Sequence, residues 1–511
     1  MKKILHSVLI FTSLYSFSQT RDLAKLASGD LVNFNAIYDQ KENLFGYVGI
    51  YNYGKSGDTS KKFEYVVLDK NLNPLANKEF EGDKYAGSYS AYMDFRDNII
   101  LKPNIDRSEI NIFKLKNITI PRTKILSLKN NTIKNKDYFE YEEDGKFTLI
   151  EAPKNLMEEY RESKKERKDK GYNYESYVYE IKEGGLLALE YKSFKNFVNG
   201  NSLIRFDDDK KEIWRYRYNT SGDKKVNESL TLIDKDKDKI YCILQNNDKK
   251  DMAFQLLVLD MQTGKEIAKK PITGLPKHTL DKIAGFRTYS YGSIDNSKSF
   301  DEKIVLLGRN IDDNHNYTGF ARMIIDKNTY DIKTDELTYN TLKNHIPRLG
   351  NNGSVESGYF LDPRDLFFLK DGSIGILMEK YKPQGEYSAQ KTTDLVYIYT
   401  DKDFKPSVKI FEKEKTKWAN ADYLFSQYLN DGKDVVFYYR DYQKDTATRE
   451  KNWNLFINTL IGGNFKQEIV PISAKDNFFV SPYVGKEGYI LLREHNKKDK
   501  YDMVRLERLN F

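Results

Sequence analysis

Seven short apolar runs, each leaving a tight turn, recur along the chain and constrain its fold more than any other feature. They are Asn98-Ile-Ile-Leu-Lys102, Gly185-Leu-Leu-Ala-Leu-Glu190, Lys239-Ile-Tyr-Cys-Ile-Leu244, Lys303-Ile-Val-Leu-Leu-Gly308, Ser373-Ile-Gly-Ile-Leu-Met378, Asp434-Val-Val-Phe-Tyr-Tyr439 and Gly488-Tyr-Ile-Leu-Leu492. Runs of this length and content that follow Gly, Asp or Asn read as strands leaving turns. A second kind of run follows after a loop of roughly ten residues. It usually ends in Asp: Tyr65 to Asp69, Leu203 to Asp207, Leu256 to Asp260, Met323 to Asp326 and Val396 to Asp401. That Asp is placed to accept hydrogen bonds from the turn backbone behind it. A polar-alternating stretch then follows, as at Leu75 to Phe80 or Lys265 to Ile272.

The repeating unit is therefore strand, turn, strand, loop, strand, turn, strand. Units fall near residues 31–81, 88–128, 175–218, 227–272, 284–338, 359–414, 422–472 and 476–511. Four antiparallel strands per repeat, with apolar runs that look buried on both faces, indicate an all-β chain built as a β-propeller. The count is eight blades, with seven as the alternative. A tandem of two β-sandwiches is the rival architecture. The last unit is one strand short, and residues 20–28 are placed to supply it and close the ring. The hairpin pattern in residues 137–152 has no clear place in the count. Residues 153–170, Pro-Lys-Asn-Leu-Met-Glu-Glu-Tyr and a charged tail, read as a helical insertion with a thin apolar stripe.

After Met1 the chain carries Lys2 and Lys3, then an apolar stretch from Ile4 to Phe17 that is too short to span a bilayer. Ser16 and Ser18 provide small residues before Gln19. Residues 1–18 thus read as a signal peptide, and 19–511 as one propeller domain. The expected location is periplasmic or extracellular, with no transmembrane segment after leader removal. Cys242 is the only cysteine in 511 residues, which excludes an internal disulfide or a cysteine-based zinc site. The formal net charge of +7 is small for this length and argues against a nucleic-acid partner.

Several motifs bear on chemistry. Gly49 to Ser56 matches a phosphate-binding loop by its letters. That chemistry needs a loop opening a helix, and this stretch reads as strand, so no nucleotide is expected. Asp234-Lys-Asp-Lys-Asp238 has the alternating carboxylates of a calcium loop, but Lys239 stands where Gly is required and Asn246 where Glu is required, so it reads as a charged hairpin turn. Asp312-Asp-Asn-His315 is a similarly weak oxygen-rich loop. His278, His315, His345 and His495 show no i, i+4 pairing. No metal and no cofactor are expected, and no catalytic residue is assigned. Paired carboxylates for glycoside hydrolysis cannot be recognised by spacing, since they would come from distant blades.

One positional pattern remains. A basic or amide residue recurs where the second strand of each unit exits toward the loop: Lys102, Lys192, Gln245, Arg309, Lys380, Arg440 and Arg493. Aromatics accompany them, including Tyr51, Tyr53, Phe194, Phe197, Tyr381, Tyr387 and Tyr442. Arg309, Lys380, Tyr381, Arg440, Tyr442 and Arg493 are the candidate ligand-binding residues, able to pair with anionic groups and stack on sugar rings.

At the level of this strand–Asp–turn repeat, the chain resembles exported β-propeller-like proteins of Gram-negative bacteria whose function is unknown. The resemblance spans about residues 20–511. It lacks the Gly-His and Trp-Asp punctuation of WD repeats and the Asp boxes of sialidase-like propellers, so it carries over no functional residues. The expectation is a non-catalytic binding or scaffolding propeller in the cell envelope, with a glycan or an envelope protein as partner. A propeller-type polysaccharide hydrolase or lyase is the alternative.

Overall fold

The structure, a computed structural model, describes residues 19–39, 43–94, 96–105, 122–141, 147–150, 161, 164–165, 168–169, 173–193, 201–220, 228–247, 252–285, 297–312, 314, 316–382, 391–414, 416–417, 422–472, 478–496 and 501–510. All seven first-type runs form the second strands of antiparallel sheets, and all five Asp-ended runs form third strands. The sheets are the eight blades of a β-propeller.

Blade 1 comprises Asp30–Tyr38, Leu44–Lys55, Ser60–Asp69 and Pro74–Asp83. Blade 2 comprises Ala86–Met93, Asn98–Ile105, Lys124–Ser127 and Thr132–Asn135. Blade 3 runs through Asn173–Glu180, Leu186–Ser193, Asn201–Phe206 and Glu212–Tyr218. Blade 4 runs through Glu228–Lys235, Lys239–Asn247, Met252–Asp260 and Glu266–Pro271. Blade 5 uses Ser297–Ser299, Lys303–Ile311, Tyr317–Asp326 and Ile332–Thr338. In blade 6, Tyr359–Phe368, Ile374–Lys382, Lys391–Thr400 and Pro406–Phe411 are extended by the short pairings of Ser354–Val355 and Thr416–Lys417. Blade 7 uses Tyr423–Leu429, Asp434–Lys444, Lys451–Ile461 and Asn464–Pro471. Blade 8 has Phe479–Val484, Tyr489–Asn496 and Tyr501–Arg508, and its outer strand is Thr20–Asp22 from the start of the described chain.

The burial gradient within a blade explains the sequence pattern. Residues 435–439 of blade 7 are all at most 1% exposed, because both faces of a second strand meet neighbouring blades. Outer strands such as Glu266–Pro271 stay largely in solvent, so they alternate or lose the apolar signal. First strands adjoin one another on the inside of the ring. Asn33 and Asn35 donate from their amides to the carbonyl of Tyr89, at 2.6 and 2.7 Å, and Gln427 donates to the carbonyl of Gly485 at 2.6 Å. Gly185 shows why one turn needs glycine. Its φ is +82°, and a Cβ there would lie 2.1 Å from the carbonyl oxygen of Phe206.

Apolar clusters are shared by blades 1 and 2, 3 and 4, 4 and 5, 5 and 6, 6 and 7, and 7 and 8. A further cluster joins Leu491, Val504 and Leu506 of blade 8 to Tyr47 and Leu68 of blade 1, with fully buried Leu23 among them. The junction of blades 2 and 3 is different. There the hairpin left without a place in the sequence count, Tyr138–Tyr141 with Phe147–Ile150, forms a separate two-stranded sheet. Phe147 packs edge-on against Phe206 at 4.8 Å, and the ion pairs Arg96–Asp208 and Lys136–Glu180 span the junction.

Three details differ from the sequence expectation. The outer strand supplied by the N-terminal region is Thr20–Asp22, shorter than the expected stretch, because a one-turn helix at Leu23–Lys25 follows at once. The loops between second and third strands are mostly shorter than ten residues, because both strands extend past the apolar runs, as at Ile311 and Tyr317. The 153–170 insertion lies largely outside the described residues; Arg161, Lys164, Lys165, Lys168 and Asp169 are helical. Two helices were not anticipated, Lys277–Gly285 and Tyr339–Leu342. In the first, Leu280 and Ile283 share one face and bury it, with Ile283 so near Gly308 that a Cβ there would be 2.5 Å from it. The second is capped by Thr338, whose side chain accepts from the Thr341 amide.

Candidate functional site

A cleft of about 360 Å³ opens between blades 5 and 6, at the end where second strands turn into third strands. Blade 5 contributes Arg309 from its second strand and Tyr317 from its third. The connection out of blade 5 contributes Tyr339 and Asn352. Blade 6 contributes Phe360 and Asp362, two apart on its first strand and so on one face, and Tyr381 opposite Phe360 in the register. The Phe360 and Tyr381 rings lie 6.2 Å apart. Burial raises the Tyr339 and Tyr381 phenols above the ordinary tyrosine value, so both are neutral hydroxyls at neutral pH.

The polar centre of the cleft is one charge pair. Arg309 lies 3.4 Å from the Asp362 carboxylate, and its guanidinium sits 4.8 Å from the centre of the Tyr317 ring. Arg364 holds the other oxygen of Asp362 at 3.3 Å. From there an alternating line of charges runs beneath the surface into blade 7. Arg364 meets Glu379 at 2.9 Å, Glu379 meets Lys413 at 2.9 Å, and Lys413 meets Asp422 at 2.8 Å. Arg440 ends the line, 4.0 Å from Asp422. Glu379, Lys413 and Asp422 are fully buried at the side chain. Burial alone would lower the Lys413 ammonium, but the two carboxylates outweigh it and hold its pKa above the usual lysine value.

The six residues singled out by sequence fall in three places. Arg309 and Tyr381 share the cleft. Lys380 is next to it, 2.8 Å from Asp394 and 3.5 Å from Glu356. Burial works against its charge, yet Asp394 and Glu356 keep its pKa raised. Arg440 and Tyr442 belong to the blade 7 hairpin, where Tyr442 is 3% exposed and packs on Trp453 at 5.0 Å. The Arg440 guanidinium lies 5.5 Å from the Trp453 ring centre. Arg493 forms a two-pronged pair with Asp502 in blade 8, at 2.8 and 2.6 Å. Each of the four cations thus has a carboxylate within 4.0 Å.

The motifs set aside by sequence have plain structural roles. Gly49 to Lys55 lies within the second strand of blade 1, and a bend and another strand follow it, with no helix. In the Asp234–Asp238 hairpin, Asp236 accepts from the amides of Asp238 and Lys239, and Asp234 pairs with Lys327 at 2.8 Å. Among the described residues, no group of three or more His, Cys, Asp or Glu side chains is gathered as a metal site would require.

No family model matches the chain, and no curated protein does. Solved structures do resemble it. The β-propeller domain of the Trilobed protease from Pyrococcus furiosus aligns with a TM-score of 0.30 at 11% identity, covering 85% of this chain and 93% of that one. The WD40 domain of SCAP from fission yeast gives 0.34 at 7% identity, covering 96% and 94%. The polysaccharide lyase PL25 ulvan lyase gives 0.31 at 8%, covering 96% of each. All are too distant to carry any functional residue to this chain.

Proposed function

We propose that the chain is a ligand-binding β-propeller of the cell envelope, exported by its leader, that holds a saccharide in the cleft between blades 5 and 6 without cleaving it. The observation that carries this reading is the lining of that cleft. Tyr317, Phe360 and Tyr381 place three aromatic rings around the Arg309–Asp362 pair, which supplies both donors and acceptors, with Arg309 covering one face of the Tyr317 ring. Sugar rings need that combination, an apolar C–H face to stack and hydroxyls to pair.

The same geometry favours binding over hydrolysis. Glycoside hydrolysis commonly uses two carboxyl groups flanking the bond, roughly 5–10 Å apart and open to the substrate. Among the described residues, Asp362 is the one carboxylate lining the cleft. Glu379 and Asp422 come together nearby, but Lys413 sits between them and all three are closed off from solvent.

The test is a panel of soluble oligosaccharides, read by calorimetric titration, with chromatography of each mixture after incubation. The reading predicts binding by some members, no new products, and a loss of about tenfold or more in affinity for Tyr381→Ala. New reducing ends or unsaturated products would place the chain among the enzymes instead.

A further inference from the structure

The Arg309–Asp362 pair also limits the charge of what the cleft accepts. We infer that the bound saccharide ring is uncharged and presents two neighbouring hydroxyls to Arg309 and Asp362. This rests on the saccharide reading above and narrows it to a chemical class.

The argument starts from charge. Among the described residues, Arg309 is the one cation lining the cleft, and Asp362 the one anion. They lie 3.4 Å apart, so a ligand group that reaches one feels the other almost equally. A carboxylate or sulfate drawn to Arg309 would sit beside Asp362. Its repulsion by Asp362 would offset much of its attraction to Arg309, so an ion gains little from the pair. A ligand cation meets the mirror problem at Arg309. Both charges have further partners that hold them in place. Asp362 is tied on its far side to Arg364, and Arg364 is tied to fully buried Glu379. The Arg309 guanidinium is laid against the Tyr317 ring.

A hydroxyl suits the pair better than any ion. It donates to the carboxylate and accepts from the guanidinium, so two adjacent hydroxyls satisfy both partners with no net charge moved into the cleft. The neutral phenol of Tyr381, together with Asn316 and Asn352 at the rim, adds uncharged hydrogen-bonding groups. Selectivity therefore comes from repulsion as much as attraction.

Matched oligosaccharides test this. Galacto-oligosaccharides are titrated against galacturonate oligomers, gluco-oligosaccharides against glucuronate-containing ones, and neutral agaro-oligosaccharides against sulfated carrageenan oligomers. The neutral member of the pair that binds is expected to bind about tenfold or more tightly than its charged counterpart. Asp362→Asn should weaken the neutral sugar and strengthen the charged one, because Arg309 then lacks its opposing charge. Arg309→Gln should weaken the neutral sugar without strengthening the charged one. Tighter wild-type binding of a carboxylated or sulfated member would overturn the inference and leave the saccharide reading standing, as would unchanged selectivity in Asp362→Asn. Absence of binding by every member, or full binding by Tyr381→Ala, would overturn both.

Discussion

The aspartates that end the third strands show how one side chain fixes a recurring turn. Asp69 accepts from the amides of Asn71 and Asn73, Asp207 from Lys211, Asp260 from Gln262 and Thr263, Asp326 from Asn328 and Thr329, and Asp401 from Asp403 and Lys405. The Thr263 hydroxyl and amide hold the Asp260 carboxyl below its ordinary pKa, and the amides of Thr329 and Asn328 do the same for Asp326. A carboxyl whose folded pKa is depressed stabilises the fold above its unfolded pKa, near 3.9, and loses that contribution as pH falls through the folded value. Replacing both by Asn should therefore lower the urea midpoint at about pH 6 and have progressively less effect below about pH 4. A difference that stays constant across that range would show that the charge is not what matters. Lys413 is the other decisive residue. Lys413→Met would leave the carboxylates of Glu379 and Asp422 buried without their shared ammonium, a loss of about 3–5 kcal/mol. Denaturant unfolding reads it directly, and Lys413→Arg should recover part of the loss. A Met variant as stable as the parent would mean that the carboxylates protonate or find solvent at little cost.

Elements differ in how plainly the sequence announces them, and burial explains the difference. Second and third strands have blades on both sides, so their apolar runs are continuous and legible in the sequence. Outer strands such as Glu266–Pro271 face water and leave only a weak alternation. The helix Lys277–Gly285 leaves a weak sequence signal, since among its described side chains the buried ones are two apolar residues, Leu280 and Ile283, and the polar Thr279. The candidate site divides along the same line. Arg309 and Tyr381 were visible because they sit at a fixed place after a periodic run. Phe360 and Asp362 belong to a first strand beyond a long connection, and no spacing links them to Arg309. Glu379 did leave a signal, as an acid joined directly to the apolar run that ends at Met378. Lys413 and Asp422 left none, since they belong to a connection with no repeat. The closing strand is the element most open to a direct challenge. Thr20–Asp22 gives blade 8 its fourth strand, and Leu23 behind it is fully buried between blades 8 and 1, where the Tyr51 hydroxyl donates to its carbonyl. Leu23→Ala should cost about 2–5 kcal/mol and speed amide exchange in Tyr501–Arg508 before other blades. Uniform exchange across all blades would indicate that the ring does not rely on this closure.

At the scale of the whole molecule, eight blades pack side by side without any disulfide, and two consecutive blades, 5 and 6, frame one cleft. Part of the abundance of tyrosine is architectural: Tyr47, Tyr51, Tyr65, Tyr89, Tyr241, Tyr397, Tyr438 and Tyr439 are fully buried. In the cleft between blades 5 and 6, by contrast, aromatic rings line an opening instead of a neighbouring sheet. The central claim is that this opening is where a saccharide sits. A crystal structure of the protein soaked with its tightest-binding oligosaccharide tests it most directly. The account predicts a sugar ring among Tyr317, Phe360 and Tyr381, with two hydroxyls within about 3.2 Å of the Arg309 guanidinium and the Asp362 carboxylate. A sugar bound elsewhere on the propeller, with this cleft empty, would contradict it.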